Sequence, residues 1–208
     1  MPRDATETRA RLLLEAERLF ATRGYHMTTT REITEAAGQR NVSAMTYHFG
    51  SREGLLTEIL VHHGWIDDER ARLAPGRLDQ HSTRSLVGAL TVPYAQLLRE
   101  QRGRYYLRIV AQLTDLFPTW REEDDVRPPH LRRILAALER RAAGPLSVRR
   151  ERVIGAIMLM TAMIADRARQ LDEDQRLHSD EARFVSNLID MLVGILEVPV
   201  GEPVATAS

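Results

Sequence analysis

The chain lacks cysteine and lysine altogether. Without cysteine there is no disulfide framework, no thiolate metal site and no cysteine nucleophile, which suits a reducing cytosol. Without lysine, all 29 basic residues are arginine, and they face 29 acidic ones. Such a balance leaves no global field to draw the chain onto nucleic acid. Long apolar runs are missing too: residues 153–165 are interrupted by Gly155 and Thr161 and fall short of the roughly 20 residues of a membrane span. The polar, partly acidic start MPRDATETRAR does not read as a signal peptide. No stretch alternates with the period of a strand, and there is no P-loop, no G-x-G-x-x-G after a strand and no G-x-S-x-G. The expectation is an all-α protein of the cytoplasm, without a cofactor or a membrane partner, and its 208 residues suffice for a core.

What is present organises itself around residues 33–56, ITEAAG, QRNVSAMTYHFG and SREGLL. Ile33, Ala36 and Ala37 share one helical face, and Gly38 supplies the left-handed residue that ends a helix. Asn41 or Ser43 can cap the next helix, in which Met45 and Phe49 lie four apart on one face. Two short helices around a tight glycine turn have the layout of a helix-turn-helix, whose second helix enters the major groove. Its outward side chains would come from Asn41, Ser43, Ala44, Thr46 and Tyr47, all small or polar except the tyrosine ring. On spacing alone, a helical hairpin that merely packs explains the same pattern. Upstream, Leu12, Leu13, Ala16, Leu19 and Phe20 recur at helical intervals from about residue 8 to Gly24, after a mobile arm. Thr29 and Glu32 form a T-x-x-E capping box, and the helix start with the Thr29 and Thr30 hydroxyls suggests a phosphate site beside the structural cap. Up to Gly54, eight arginines stand against seven acids, so a DNA face would need arginines turned toward phosphate and acids turned away.

The run from Thr8 to Leu60 resembles the N-terminal domain of the TetR family of bacterial transcriptional regulators. The resemblance rests on LF-x(3)-GY at the end of the first helix, TT-x-REI opening the second, AAG at the turn, and YHFGS-R-E-x-L after the recognition helix. Between Gly38 and Phe49 the chain is a residue longer than the family pattern and carries RNVSA where many members have VSKG; the position often held by a DNA-contacting tyrosine is Thr46, with Tyr47 next. The resemblance implies DNA contacts at Thr29, Thr30, Arg40, Asn41, Ser43, Ala44, Thr46, Tyr47, His48 and Arg52, with Arg52 on the phosphate backbone. It also implies a ligand-responsive repressor that binds a palindromic operator as a homodimer and is released by a small-molecule effector.

The remainder reads as helices. Residues 51–73 form one helix from an N-cap at Ser51, and Pro75-Gly76 breaks it. Residues 85–99 form another, kinked or interrupted at Pro93, followed by helices over 105–116 and 131–141 on either side of a polar loop over 117–129. Residues 153–164 and 184–196 are apolar around too much of the helix for one buried stripe, which calls for a second partner such as another copy of the chain. The seam is expected at Ile157, Thr161, Ile164, Val185, Leu188, Leu192 and Ile195. The implied organisation is a three-helix helix-turn-helix DNA-binding domain (1–54), a helical ligand-binding and dimerisation domain (55–198) and a flexible tail (199–208). Tyr94, Tyr106, Phe117, Trp120, Met158 and Met163 are apolar enough to line an effector pocket, although such residues at helical spacing are also ordinary core. Two rivals remain: a helical scaffold binding another protein, and a metal-dependent enzyme using His63 and Asp67, four apart in HHGWIDDE. That pair lacks a third ligand, and a solvent-facing helix side explains it as well.

Overall fold

The computed structural model describes residues 2–39, 41, 43–113 and 128–202, among which every regular element is helical. The helices are α1 (Pro2–Arg23), α2 (Thr30–Ala36), α3 (Ser43–Phe49), α4 (Arg52–His62), α5 (Trp65–Leu73), α6 (Thr83–Gln96), α7 (Gln101–Ala111), α8 (Pro129–Arg141), α9 (Leu146–Asp172) and α10 (Glu181–Glu197). No helix among the described residues is long and apolar enough to cross a membrane.

The apolar periodicity of α1 is used as its spacing predicts: Leu12, Ala16, Leu19 and Phe20 are buried against α2 and α7. The segment before Thr8, expected as a mobile arm, is instead the first turns of α1, and the Glu7–Arg11 pair at i,i+4 supports it. One core runs without a break from Leu12 through Leu55 and Ile59 of α4 and Ile109 of α7 to Ile164 of α9 and Leu188 of α10. Two polar ties reinforce the α1–α7 contact. Arg102 holds the fully buried Glu17 through Nε and Nη2, both at 2.7 Å. Gln112 accepts from the Tyr25 N–H at 2.7 Å and donates to the Phe20 carbonyl at 3.0 Å.

The helix expected over 51–73 is two helices. It breaks at His63–Gly64, where glycine is a poor helix former and the buried His63 ring turns onto Tyr106, 4.1 Å between centroids. Pro93, expected to kink or interrupt its helix, lies inside α6, which continues to Gln96 and then tightens into a 3₁₀ turn, Leu97–Arg99. Most of the loop expected over 117–129 lies outside the described residues, as do Arg40 and the end of the tail.

α9 and α10 correct the expected seam. Ile157, Thr161, Ile164, Leu188 and Leu192 are buried inside the protomer, against neighbouring helices of the same chain. The excess apolar coverage is real, but the inner stripe of each helix holds these five. Of the expected set only Val185 and Ile195 keep exposed surface, and the outer side of α9 instead presents Gly155, Met158, Leu159 and Ala162.

Candidate functional site

Local chemistry fixes the helix-turn-helix. Thr29 caps α2: its hydroxyl oxygen accepts from the Glu32 N–H, and the Glu32 carboxylate accepts from the Thr29 N–H and hydroxyl, each at 2.8 Å. These donors, first the Thr29 backbone N–H, hold the Glu32 carboxyl below its ordinary pKa. An anion therefore already stands at this helix start, and the exposed Thr29 caps it; the half-buried Thr30 begins the helix. Gly38, at φ +70°, lets Gln39 N–H reach the Thr34 carbonyl at 2.9 Å and closes α2. The chain then enters α3 through Asn41, whose Oδ1 accepts from the Ser43 N–H at 2.9 Å. Behind α3, Ser51 caps α4 by accepting from Gly54 N–H at 3.0 Å, and Gly54 is required because a Cβ there would lie 2.1 Å from the Phe49 carbonyl oxygen.

α3 is anchored by Met45, which is buried, and by Phe49 and Ala44, which are partly buried against the core. Ser43, Thr46 and Tyr47 project outward with Asn41, and Tyr47 is 82% exposed. His48 is half-buried beside it, edge-on to the Tyr47 ring at 5.0 Å. No charged side chain other than a titratable histidine lies on α3 itself. Such a surface offers hydrogen-bonding groups and a ring of the kind that can meet base edges; with Oδ1 of Asn41 occupied, its amide NH₂ remains to donate.

Six of the arginines at this end are paired with acids of the same chain. Arg9 pairs with Glu58, Arg11 with Glu7, Arg18 with Glu15, Arg23 with Glu32, Arg31 with Glu35 and Arg52 with Glu53. Arg52 also turns inward: Nη1 donates to the carbonyls of Tyr25 at 3.4 Å and Thr28 at 3.2 Å, with the guanidinium 4.6 Å from the Tyr25 ring centre. It fastens the turn between α1 and α2, a structural duty that the motif alone does not reveal.

Of the expected effector residues that are described, Tyr94 and Tyr106 come together while Met158 and Met163 lie elsewhere. Tyr94 and Tyr106 are buried and stacked, 6.4 Å between centroids at 17°. Met158 is 47% exposed on the outer side of α9, Met163 lines an open groove with Phe184, and Phe117 and Trp120 lie outside the described residues. A wholly aliphatic crevice among Val87, Leu135, Val153 and Leu192 has only about 10 Å³ of free space, room for no more than a water that would find no polar partner there.

Beside the tyrosine pair the fold assembles a polar group from HHGWIDDE, a stretch whose composition predicts a solvent-facing helix side. His63, Asp67 and Arg70 are all buried. Both Asp67 oxygens accept backbone N–H groups at the start of α8, from Leu131 and His130, each at 2.9 Å, so α5 caps α8. This removes the basis for the metal reading of His63 and Asp67, and no three potential ligands cluster around an ion among the described residues. Burial pushes His63 down to about 4, helped by the positive charges of His62 and Arg102, so the ring is neutral near neutral pH. Burial likewise raises the Tyr106 hydroxyl well above its ordinary pKa. A usable sequence signal did exist: His63, Ile66, Asp67, Arg70 and Ala74 recur at helical spacing around an apolar member, a stripe that packs inward despite its charges.

Residues 12–59 match the family model of bacterial regulatory proteins, tetR family. Two crystal structures of NalD, the secondary repressor of the MexAB-OprM multidrug efflux pump in Pseudomonas aeruginosa, superpose with TM-scores of 0.56 and 0.57 at 19% and 20% identity. They cover 94% and 93% of this chain and 98% of NalD in each case. A bacterial regulatory protein in the tetR family from Rhodococcus RHA1 gives 0.50 at 18% identity, over 91% of this chain and 97% of that one. No curated protein sequence matches the chain. At these identities the superpositions establish a shared fold, an N-terminal helix-turn-helix domain on an all-helical body.

Proposed function

We propose that the chain, whose residues 12–59 match the tetR family model and whose fold is shared with NalD, is a cytoplasmic, ligand-responsive transcriptional repressor of the TetR family that binds double-stranded DNA and works by binding rather than catalysis. Residues 1–54 read DNA, residues 55–198 sense an effector and dimerise, and 199–208 are a tail. One observation carries the reading: an uncharged, outward-facing α3 presenting Ser43, Thr46 and an 82% exposed Tyr47, held from behind by the buried Met45. An aromatic ring so fully in water has no packing role and suits a groove contact. In this reading base readout falls to Asn41, Ser43, Thr46 and Tyr47, with Ala44 and His48 beside them on α3, while Thr30 and Arg52 would meet the DNA backbone.

A homodimer is supported by the small and apolar surface that Gly155, Met158, Leu159 and Ala162 keep on the outer side of α9, together with the half-buried Ile195 of α10. Two heads related by a two-fold axis would meet a palindromic operator with half-site centres about 34–36 Å apart or a multiple of that. An effector that binds the DNA-free arrangement better would release the operator, and by reciprocity DNA would weaken effector binding. The α1–α7 ties and α4, which runs from Ser51 behind α3 to His63, are the physical links between body and head.

Gel shift with fragments from beside its own coding sequence tests this. Thr46→Ala and Tyr47→Ala should each leave the melting temperature unchanged, since both side chains are exposed, while lowering affinity about 5- to 100-fold if one to two base or phosphate contacts are lost. Thr46→Ala should also change the ranking of operator variants. Equal affinity of wild type and Tyr47→Ala for every fragment, or tight binding of a monomer to a single half-site, would sink the reading.

A further inference from the structure

Arg70 is the most deeply buried arginine among the described residues, 2% exposed, and its hydrogen bonding is unfinished. Nη1 approaches Asp67 Oδ1 only to 3.5 Å, and that carboxylate already accepts two backbone N–H groups from α8. Nε and Nη2 have no hydrogen-bond partner among the described residues. These two N–H groups form the flat side-on fork of a guanidinium. The same edge elsewhere in the protein grips a carboxylate: Arg102 holds Glu17 this way, and Arg72 holds Glu69 at 2.7 and 2.6 Å. A guanidinium does not relieve its burial by losing its proton, so a planar anion would satisfy both unpartnered N–H groups at once.

The surroundings narrow the ligand. The guanidinium lies 5.3 Å from the Tyr94 ring centre, Tyr94 is stacked on Tyr106, and Tyr106 carries the His63 ring on its other neighbour. Both ring nitrogens of His63 are buried and lack hydrogen-bond partners, so a neutral donor and a neutral acceptor stand on the same aromatic wall. Asp67 lies within 3.5 Å of the guanidinium and would repel a dianion. A monoanion with a flat apolar body satisfies every part of this arrangement, and a phosphate monoester does not.

We propose that Arg70 is the anchoring residue of the effector site and that the effector is a monocarboxylate on an aromatic or similarly flat apolar body. The proposal rests on the reading of the chain as a ligand-responsive regulator and adds the ligand's chemical class. The carboxylate takes the Nε/Nη2 fork, the apolar body lies along Tyr94 and Tyr106, and His63 receives a polar substituent. The site also has a route to the DNA-reading end, because His63 closes α4 and Arg70 lies two turns farther on in α5.

The test uses the full chain with benzoate and its uncharged isostere benzamide as probes, in wild type, Arg70→Met and Arg70→Lys. Arg70→Met takes away the cation 3.5 Å from Asp67 but leaves that carboxylate its two hydrogen bonds from the His130 and Leu131 N–H groups. Arg70→Lys keeps the charge and removes the fork. Calorimetric titration should show benzoate binding wild type at least tenfold more tightly than benzamide, with the preference gone in Arg70→Met and benzoate affinity at least tenfold weaker in Arg70→Lys. Should Arg70→Met fail to give a circular dichroism melt like that of the wild type, Arg70→Lys decides the question. Benzoate binding no tighter than benzamide in wild type, or unchanged in Arg70→Lys, overturns the proposal. Operator binding is measured separately by gel shift without probe. Operator bound with no benzoate preference refutes only the ligand class; benzoate held through Arg70 with no operator bound refutes only the regulator reading.

Discussion

At the helix-turn-helix end, six arginines lie near the surface and each faces a carboxylate; in the body, Arg70 lies at 2% exposure with its Nε and Nη2 unpartnered. The same side chain meets two different electrostatic regimes. Near water an ion pair is worth about 0–1 kcal/mol, so a pair such as Arg31–Glu35 yields easily to a phosphate and leaves the fold indifferent. Away from water, an arginine is committed to whatever holds it, and an unfilled hydrogen bond carries a penalty large enough to shape what binds. Exchangeable pairs suit a surface that must come on and off DNA, and an unfilled buried fork suits a site that must respond to one kind of molecule.

The largest effect should come from the pair joining the two regions, a buried carboxylate held by an arginine 41% exposed. Glu17 is wholly buried and its partner Arg102 is held by two 2.7 Å bonds. Arg102→Ala leaves that carboxylate uncompensated, and breaking a buried pair from one side costs about 3 kcal/mol or more. Urea denaturation should show a loss of that size, whereas Arg99→Ala, whose pair with Glu181 is exposed at both ends, should be nearly silent. If the two variants melt alike, the division between exchangeable and committed arginines is wrong.

Much of this molecule was legible in the sequence because its signals are local. The helices, the capping box at Thr29, the glycine that ends α2 and the inward Met45 all follow from spacing and backbone preference within a few residues. What was hidden is long-range. Leu188 and Leu192 look like seam residues until α6 and α9 of the same chain are seen to cover them. Asp67 looks like a surface acid until the start of α8, more than sixty positions away, supplies its two donors. Arg52 fits a phosphate contact by motif, yet the Tyr25 and Thr28 carbonyls it holds belong to another turn. Periodicity says that a residue faces inward, but not which helix it meets there.

A second effect separates the regions by pH. His63 is held neutral in the fold, with its pKa lowered to about 4 by burial and by the charges of His62 and Arg102. The unfolded chain, with an ordinary value near 6.5, therefore binds a proton that the folded chain refuses between those values. The contribution is complete above pH 6.5 and is lost as pH falls toward 4. From pH 7.5 to 5 this one residue should remove about 2 kcal/mol of stability. His63→Leu should be less stable than wild type at pH 7.5 through lost ring stacking, yet its stability should fall less over that interval. Parallel pH profiles for the two proteins would show that the ring protonates freely and is not committed to the buried cluster.

The smallest effect tests the boundary between the two classes, because Arg52 stands on it. Its side chain is 28% exposed, it pairs only distantly with Glu53, and its two hydrogen bonds go to main-chain carbonyls at the α1–α2 turn. Losing them and the stacking on Tyr25 should lower stability by about 1–2 kcal/mol in Arg52→Ala, even though the sequence motif assigns this residue to DNA. Arg31→Ala, with a side chain 78% exposed, should leave the melting curve in place. On operator DNA the comparison uses salt: each arginine that contacts phosphate should, when removed, reduce the slope of log affinity against log salt by about one unit. Arg52→Ala is expected to change both melting and salt slope, since Nη1 alone makes the internal bonds and the other nitrogens remain to meet phosphate. A variant that shifts the slope at unchanged stability would put Arg52 with the exchangeable surface arginines; one that melts earlier at unchanged slope would make it purely a fastener of the turn.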